Sequence, residues 1–188
     1  MNVVRPVKTL NCKGYKCPLP QVQAKEALVL VDDLEIIEIL TTDEDARNEI
    51  KKWTEQTGDI YISCEEKSDH VVHYIQKAPS QKRREEKKYP KVISNDDLKQ
   101  KDLKDSSFIL LDVREEIEFI IGHIPGAVHI PLGEIKDHLN KLNKNQTYYI
   151  ICRTGNRSDF ACHLLVENGF LNIYNVLPGM SGWDGETE

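Results

Sequence analysis

Two cysteines in this sequence each precede a stretch of helical character, a position that favours the reactive thiolate. Cys17 stands directly before Pro18, and Cys152 ends an apolar run and is followed by Arg153 and Arg157. The positive end of a helix dipole and unpaired backbone N–H groups stabilise a thiolate, which is the nucleophilic form of cysteine. Both residues are therefore candidate nucleophiles, although the Cys17-Pro18 pair taken alone favours a packed structural cysteine.

The loop after Cys152 has the composition of an anion-binding turn. Four residues separate Cys152 from Arg157, and we expect a helix to begin at Ser158. Such a loop can turn its backbone N–H groups inward, and the helix start adds partial positive charge. Cys152 is therefore the predicted catalytic nucleophile. The predicted substrate-binding residues are Arg153, Thr154, Gly155, Asn156 and Arg157.

Apolar runs alternate with helical patterns in the second half of the chain, which predicts a doubly wound parallel sheet. We expect strands over residues 108–111, 147–151 and 172–176, and helices over residues 115–120, 132–142 and 158–168. In such sheets, ligands bind beyond the carboxyl ends of the strands. Asp112 and Arg114 leave a strand at that edge, so we assign them supporting roles, with Asp112 orienting a loop arginine.

The first half predicts a small α+β two-layer sandwich with the order βαβαββ, which makes the whole chain a two-domain α/β protein. We expect strands over residues 7–10, 34–40, 59–65 and 70–76, and helices over residues 18–31 and 43–57. Thr42 is the expected N-cap of the second helix, and Gly58 ends that helix. In the third strand, Ile60 and Ile62 alternate with Tyr61, which predicts that the isoleucines face the core.

Four segments of the second half together resemble the rhodanese family. These segments are Cys152 to Arg157, Asp112 to Glu115, Gly122 to Ala127, and Gly179 to Trp183. The resemblance covers about residues 92–188. It implies a sulfurtransferase that takes sulfane sulfur from thiosulfate or a persulfide onto Cys152 and passes it to a thiol or protein acceptor. We predict no cofactor.

Loop length separates this interpretation from a phosphatase. Phosphatases with a cysteine nucleophile carry five residues between the cysteine and the arginine, whereas this chain has four between Cys152 and Arg157. A loop that is one residue shorter suits the terminal sulfur of a persulfide better than a phosphate or arsenate group. The alternatives that stay open are a phosphatase or arsenate reductase, and a non-catalytic thiol redox sensor.

The turn before the first predicted helix resembles the TusA (SirA-like) family of sulfur carriers. Gly14 followed by Cys17-Pro18-Leu19-Pro20 matches the hallmark of that family, a glycine and then Cys-Pro-x-Pro at the start of a helix. The resemblance covers about residues 5–78. It implies that Cys17 is a second catalytic residue, which carries sulfur as a persulfide.

The other three cysteines are expected to be less reactive. Five is an odd number, which argues against a disulfide scaffold. Cys64 and Cys162 are predicted to be small buried side chains. Cys12 is predicted to be a bystander in the loop, with a regulatory disulfide to Cys17 as the alternative. No metal site is predicted, since a zinc site needs about four ligands and no matching spacing supplies them.

Charge divides the 188 residues into three segments. Residues 79–91 carry six basic and two acidic side chains, whereas both flanking segments are net acidic. We therefore predict a first domain over residues 1–78, an exposed basic linker over 79–91 and a second domain over 92–188. The acidic domains argue against direct binding of nucleic acid. Without a long apolar run or a signal-like start, the chain is predicted to be cytoplasmic and to have no membrane partner.

Together, the two cysteines predict a sulfur relay. Sulfur taken by Cys152 passes to Cys17, and the reverse direction is equally compatible with the sequence. A flexible linker of about 14 residues reaches ~20 Å, and tethering gives an effective concentration near millimolar, so transfer within one chain needs no strong domain interface. The sequence leaves open the physiological donor, the acceptor, the pathway and the oligomeric state.

Overall fold

The computed structural model describes residues 5–84, 87–103 and 105–188. The chain forms two compact units, which divide between Lys87 and Lys88. The predicted fold class is confirmed, because the first unit contains a mixed sheet with two helices and the second contains a parallel sheet. No helix in the described ranges has both the length and the apolar character needed to cross a bilayer.

The first unit has the predicted order βαβαββ. Its elements are β1 (Lys8–Cys12), α1 (Leu19–Val29), β2 (Ile36–Thr41), α2 (Ala46–Thr57), β3 (Ile60–Glu66) and β4 (Val71–Gln76). The sheet order is β1-β2-β4-β3, in which β1 and β2 are parallel and the other two pairs are antiparallel. Leu28, Ile39 and Ile50 are fully buried, so both helices and the sheet contribute to the core.

The predicted orientation of the side chains of β3 is wrong, and this strand also contains a β-bulge. The register with β4 shifts between Tyr61 and Ser63. Before the shift, Tyr61 and not Ile60 is paired with the buried Ile75, so the predicted alternation already has the wrong phase there, and Ile60 and Ile62 are 47% and 38% exposed. Cys64, predicted to be buried, is only half-buried.

The second helix begins later than its sequence suggested. α2 starts at Ala46, so Thr42 is not its N-cap. The Thr42 hydroxyl instead accepts a hydrogen bond from the backbone of Gly14. The predicted helix end is confirmed, because Gly58 adopts the left-handed conformation and its N–H donates to the carbonyl of Thr54.

The second unit is an open parallel sheet with the strand order β5-β9-β8-β6-β7. Its elements are β5 (Val92–Ser94), α3 (Asn95–Lys99), β6 (Phe108–Asp112), α4 (Glu116–Ile121), β7 (Val128–His129), α5 (Ile135–His138), β8 (Thr147–Ile151), α6 (Asn156–Glu167) and β9 (Asn172–Leu177). The three predicted strands are β6, β8 and β9, while the short edge strands β5 and β7 were not predicted. The helix predicted over residues 132–142 is broken, since 3₁₀ turns flank α5 on both sides.

The segment predicted to be an exposed linker makes specific contacts at both of its ends. In the first unit, Arg83 donates to the buried carboxylate of Asp59 at 2.9 Å. In the second unit, Tyr89 is only 6% exposed, and its N–H donates to Asp159 at 2.9 Å. The prediction that all of residues 79–91 is exposed is therefore wrong. Arg83 is bound to the buried carboxylate of Asp59, and the side chain of Tyr89 is itself buried. Residues 85 and 86 of this segment lie outside the described residues.

Candidate functional site

Cys17 lies in the turn between β1 and α1, which is held against the end of β2. Its backbone N–H donates to Asp43 Oδ2 at 2.6 Å, and the N–H of Gly14 donates to Thr42 Oγ1 at 2.8 Å. Gly14 has a φ of 82°, in the left-handed region that favours glycine. Cys17 is 3% exposed. The turn thus fixes this cysteine at the sheet edge where the parallel strands β1 and β2 both end.

Cys12 is the last residue of β1 rather than a residue of the loop. It is 1% exposed, and burial raises the pKa of its thiol to about 11. A thiol with that pKa stays protonated near neutral pH and is a poor nucleophile. All five cysteines lie within the described ranges, and none of them forms a disulfide there. Cys162 is fully buried, as predicted.

An open cleft of about 600 Å³ adjoins the Cys17 turn. Asp43, which binds the Cys17 N–H, lines this cleft, and so does Asp69, which forms an ion pair with Lys13 of the turn at 3.0 Å. Both acidic and basic side chains line the cleft. Its lining residues are Thr41, Thr42, Asp43, Glu44, Arg47, Asn48, Glu66, Lys67, Asp69, His70, Val71 and His73. The turn therefore lies beside a polar recess that a partner molecule could enter. Among the described residues, no group of three or more His, Cys, Asp or Glu side chains is placed to hold a metal ion.

His73 and Thr41 are the two buried residues of the cleft lining, with exposures of 1% and 0%. The Nε2 of His73 lies 2.8 Å from Thr41 Oγ1, and its Nδ1 lies 2.7 Å from the hydroxyl of Tyr61. A neutral imidazole satisfies both contacts, since one ring nitrogen donates and the other accepts. Burial lowers the pKa of His73 to about 4 and raises the pKa of Tyr61.

This histidine makes the stability of the first unit depend on pH. The unfolded imidazole binds a proton below about pH 6.5, whereas the folded one stays neutral down to about pH 4. Because the unfolded state binds more protons in that window, the free energy of unfolding falls as the pH falls from 6.5 to 4. The slope of the free energy of unfolding against pH should therefore lose the contribution of His73 in the His73→Gln variant. That contribution is at most about 1.4 kcal/mol per pH unit.

Urea unfolding at several pH values, followed by Trp53 fluorescence in a Trp183→Phe background, measures this slope. His70→Gln is the matched control, because His70 lies outside the Thr41–His73–Tyr61 contacts. Equal slopes in the His73→Gln and His70→Gln variants would contradict the prediction.

Cys152 follows β8 directly, at the carboxyl edge of the parallel sheet, and is 1% exposed. The N–H of Gly155 donates to Cys152 Sγ at 3.2 Å, and Ser158 Oγ lies 3.2 Å from the same sulfur. Gly155 has a φ of 90° and immediately precedes α6, which begins at Asn156 rather than at Ser158. The sulfur therefore sits at the base of a tight turn that leads into a helix N-terminus.

Hydrogen bonds from neighbouring segments fix the orientation of the loop peptides. The carbonyl of Cys152 accepts from Met180 N, that of Arg153 accepts from Ser181 N, and that of Gly155 accepts from the Asn175 side chain. In a planar trans peptide the N–H points opposite to the C=O. The N–H groups that follow these three carbonyls consequently point away from Met180, Ser181 and the Asn175 side chain.

The two arginines of the loop have different surroundings. Arg157 lies in the first turn of α6 and forms a bidentate ion pair with Glu118 of α4, in which Nη2 lies 2.7 Å from Oε1. The hydrogen bond from Arg157 lowers the pKa of Glu118. Arg153 and Thr154 are exposed. Arg153 is thus the loop arginine that faces solvent.

Asp112 binds Arg114 instead of a loop arginine, which corrects its predicted role. Arg114 Nε lies 2.9 Å from Asp112 Oδ2, and both residues are buried. Arg114 also donates to the carbonyl of Gly122 at 2.9 Å. The pair therefore ties the end of β6 to the segment after α4.

Two residues at the loop were missed by the sequence analysis. Glu118 orients Arg157, and Lys88 donates to the Asn156 side chain at 3.3 Å. The spacing of Glu115 and Glu118 matches a capping box, which the structure contains, and this pattern could have placed Glu118 in a first helical turn. Its pairing with a residue 39 positions later depends on the fold.

Comparison with known proteins follows the division into two units. The family model described as Sulfurtransferase TusA matches residues 8–77, and the model described as Rhodanese-like domain matches residues 94–186. Together the two matches cover most of the chain, one in each unit.

Individual relatives match either nearly the whole chain or about half of it. YrkF of Bacillus subtilis, named as a sulfur carrier protein, is 38% identical over 179 residues, which are 95% of this chain and 96% of that protein. YtwF of the same organism, named as a sulfurtransferase, is 45% identical over 98 residues, 52% of this chain and 94% of that protein. A crystal structure of a rhodanese-like domain protein from Staphylococcus aureus is 41% identical, with a TM-score of 0.49, covering 53% of this chain and 97% of that one.

Proposed function

The chain belongs to the family of proteins that join a TusA sulfur-carrier domain to a rhodanese-like domain, and we propose that Cys152 and Cys17 exchange a sulfane sulfur within it. The chain is a sulfurtransferase. In this proposal, thiosulfate or a persulfide supplies the sulfur, and a thiol or protein acceptor receives it. The observation that carries the proposal is the loop around Cys152, whose Gly155 N–H already donates a hydrogen bond to the sulfur.

The first step is a nucleophilic displacement at Cys152. The thiolate attacks the outer sulfur of the donor, a new S–S bond forms, and the donor's own sulfur bond breaks to release sulfite or a thiolate. The product is a Cys152 persulfide with its negative charge on the terminal sulfur. The N–H groups of the loop and the N-terminus of α6 supply the positive potential for that charge.

The second step moves the sulfur between the two cysteines. The Cys17 thiolate attacks the terminal sulfur of the Cys152 persulfide, and the Cys152 thiolate leaves, so no oxidant or reductant is needed. The hydrogen bond from the Cys17 N–H to Asp43 holds the carrier cysteine beside the open cleft, where an acceptor or donor could approach. The reverse transfer uses the same bonds.

Mapping the added sulfur by mass spectrometry tests this order. After incubation with thiosulfate or a low-molecular-weight persulfide, the Cys17→Ser variant should still gain sulfur on Cys152 at close to the wild-type rate. It should no longer deliver that sulfur to an acceptor that receives it from Cys17. Cys12→Ser is the matched control, since Cys12 is buried at the end of β1. In a mixture of Cys17→Ser chains and Cys152→Ser chains, sulfur passes from Cys152 to Cys17 only by transfer between chains. Sulfur on Cys17 in this mixture, compared with the wild type, therefore distinguishes transfer between chains from transfer within a chain. If Cys17 never gains sulfur in the wild type, the proposed exchange is wrong.

A further inference from the structure

Ser158 places a hydroxyl against the reacting sulfur of Cys152. This serine lies in the first turn of α6 and is fully buried, and its Oγ is 3.2 Å from Cys152 Sγ. Among the described residues, that sulfur is the one hydrogen-bond partner of the hydroxyl. A buried hydroxyl without a partner is costly, so the fold maintains the contact between these two side chains.

The charge on the sulfur decides which of the two atoms donates. A thiolate can only accept a hydrogen bond, so Ser158 donates to Cys152 whenever that cysteine is ionised. The N–H of Gly155 donates to the same sulfur, also at 3.2 Å. Hydrogen bonds to an ionised acceptor are about twice as strong as those between neutral groups. Both donors therefore stabilise negative charge on Cys152 Sγ itself.

The two steps of the proposed reaction change this charge in opposite directions. When Cys152 attacks the donor, its Sγ gives up the charge and becomes the inner sulfur of a persulfide, so the hydrogen bond from Ser158 weakens. When an acceptor attacks the outer sulfur, the bond between the two sulfurs breaks and Sγ takes the electron pair, so the hydrogen bond strengthens again. Only an interaction that strengthens toward the transition state lowers its barrier.

We propose that Ser158 is a catalytic residue for the second step, in which it stabilises Cys152 as the leaving group, an inference that rests on the proposed function. The acceptor thiolate forms a bond to the outer sulfur, the bond from that sulfur to Sγ breaks, and Cys152 leaves as a thiolate that accepts from Ser158. The hydroxyl keeps its proton, so the step consumes no further reactant. Ser158 thus favours the delivery of sulfur from Cys152 over its uptake.

The Ser158→Ala variant should slow delivery and spare uptake. Full-length chains carrying Cys17→Ser confine the measurement to Cys152. Uptake is the single-turnover rate of persulfide formation on Cys152 from thiosulfate and, separately, from glutathione persulfide. Delivery is the rate at which the loaded chain, freed of donor, loses that sulfur to glutathione. Quenched-flow mass spectrometry follows both.

We expect Ser158→Ala to lower the delivery rate about tenfold and to change the uptake rate by less than about twofold. Both rates are read at the plateau of their pH profiles, so that a change in the ionised fraction of Cys152 does not enter the comparison.

Two further variants separate the chemistry of the hydroxyl from its packing. Ser158→Thr keeps a hydroxyl and should restore delivery to within about threefold of the wild-type rate. Ser107→Ala removes an exposed hydroxyl that donates to Asp105 just before β6, and it should leave both rates unchanged. If the added methyl group prevents folding of Ser158→Thr, the ratio of the two rates in Ser158→Ala decides, because a merely structural defect lowers both.

The outcomes separate this inference from the proposed function. Equal losses of uptake and delivery in Ser158→Ala, or wild-type rates for both, overturn the role of Ser158 while sulfur transfer stands. A larger loss of uptake than of delivery overturns it as well. If neither thiosulfate nor glutathione persulfide loads Cys152 in the folded wild-type chain, the proposed function itself fails.

Discussion

The Cys152→Ser variant is expected to lose sulfur transfer by at least about 1000-fold. A serine hydroxyl stays protonated near neutral pH and cannot hold a sulfur as a persulfide. The fold should survive, because a hydroxyl can still accept from the Gly155 N–H and contact Ser158 in the 1% exposed position of the thiol. Product release from the donor, measured as initial rates at several donor concentrations, gives the ratio of kcat/KM values.

Cys64→Ser is the control for this loss. Cys64 is half-buried on β3, in the other unit, and should keep the wild-type rate. A Cys152→Ser chain that transfers sulfur as fast as the wild type would mean that the loop is not the catalytic centre. Cys17 would then be the residue that the donor loads directly.

Local sequence patterns were sufficient for most of the fold. The strand over residues 147–151 could be predicted because its apolar side chains must be buried on both faces of the sheet, and Gly58 marked the end of α2 because it adopts a positive φ. The short strands β5 and β7 carry three and two residues, which is too few for a periodic pattern. The bulge at Tyr61 was also hidden, since alternation assumes an uninterrupted register.

The candidate site could be predicted only where its residues are neighbours in the chain. The turn from Cys152 to Arg157 is contiguous, so its type and length could be read directly. Glu118 and Arg157 are 39 positions apart and meet because α4 and α6 both follow strands at one sheet edge. Asp112 was assigned to a loop arginine because the sequence does not show that Arg157 is already paired with the distant Glu118; the partner of Asp112 is Arg114, two residues away.

Gly179→Ala is expected to cause the largest loss of structure at the loop. Gly179 has a φ of 84° and a ψ of −161°, a conformation that is essentially restricted to glycine. A Cβ at this position would overlap the carbonyl oxygen of Cys152 and lie 2.9 Å from that of Arg153. Those two carbonyls accept the hydrogen bonds from Met180 and Ser181, so the methyl group would displace the contacts that orient the loop.

The cost of Gly179→Ala combines backbone strain with this overlap, so we expect the free energy of unfolding of the second unit to fall by about 3 kcal/mol or more. Loading of Cys152 should fall by about 100-fold or more, because misplaced N–H groups no longer face the anionic sulfur.

The Gly126→Ala variant is the control that separates backbone strain from the overlap with the loop carbonyls. Gly126 also has a positive φ, 79°, but its nearest new contact is Leu103 O at 3.6 Å. In Gly126→Ala, calorimetry should show lowered stability while the rate of Cys152 loading is retained. In Gly179→Ala, both the stability and the rate of Cys152 loading should fall. Wild-type loading by Gly179→Ala would show that the loop does not depend on its contacts with residues 179–181.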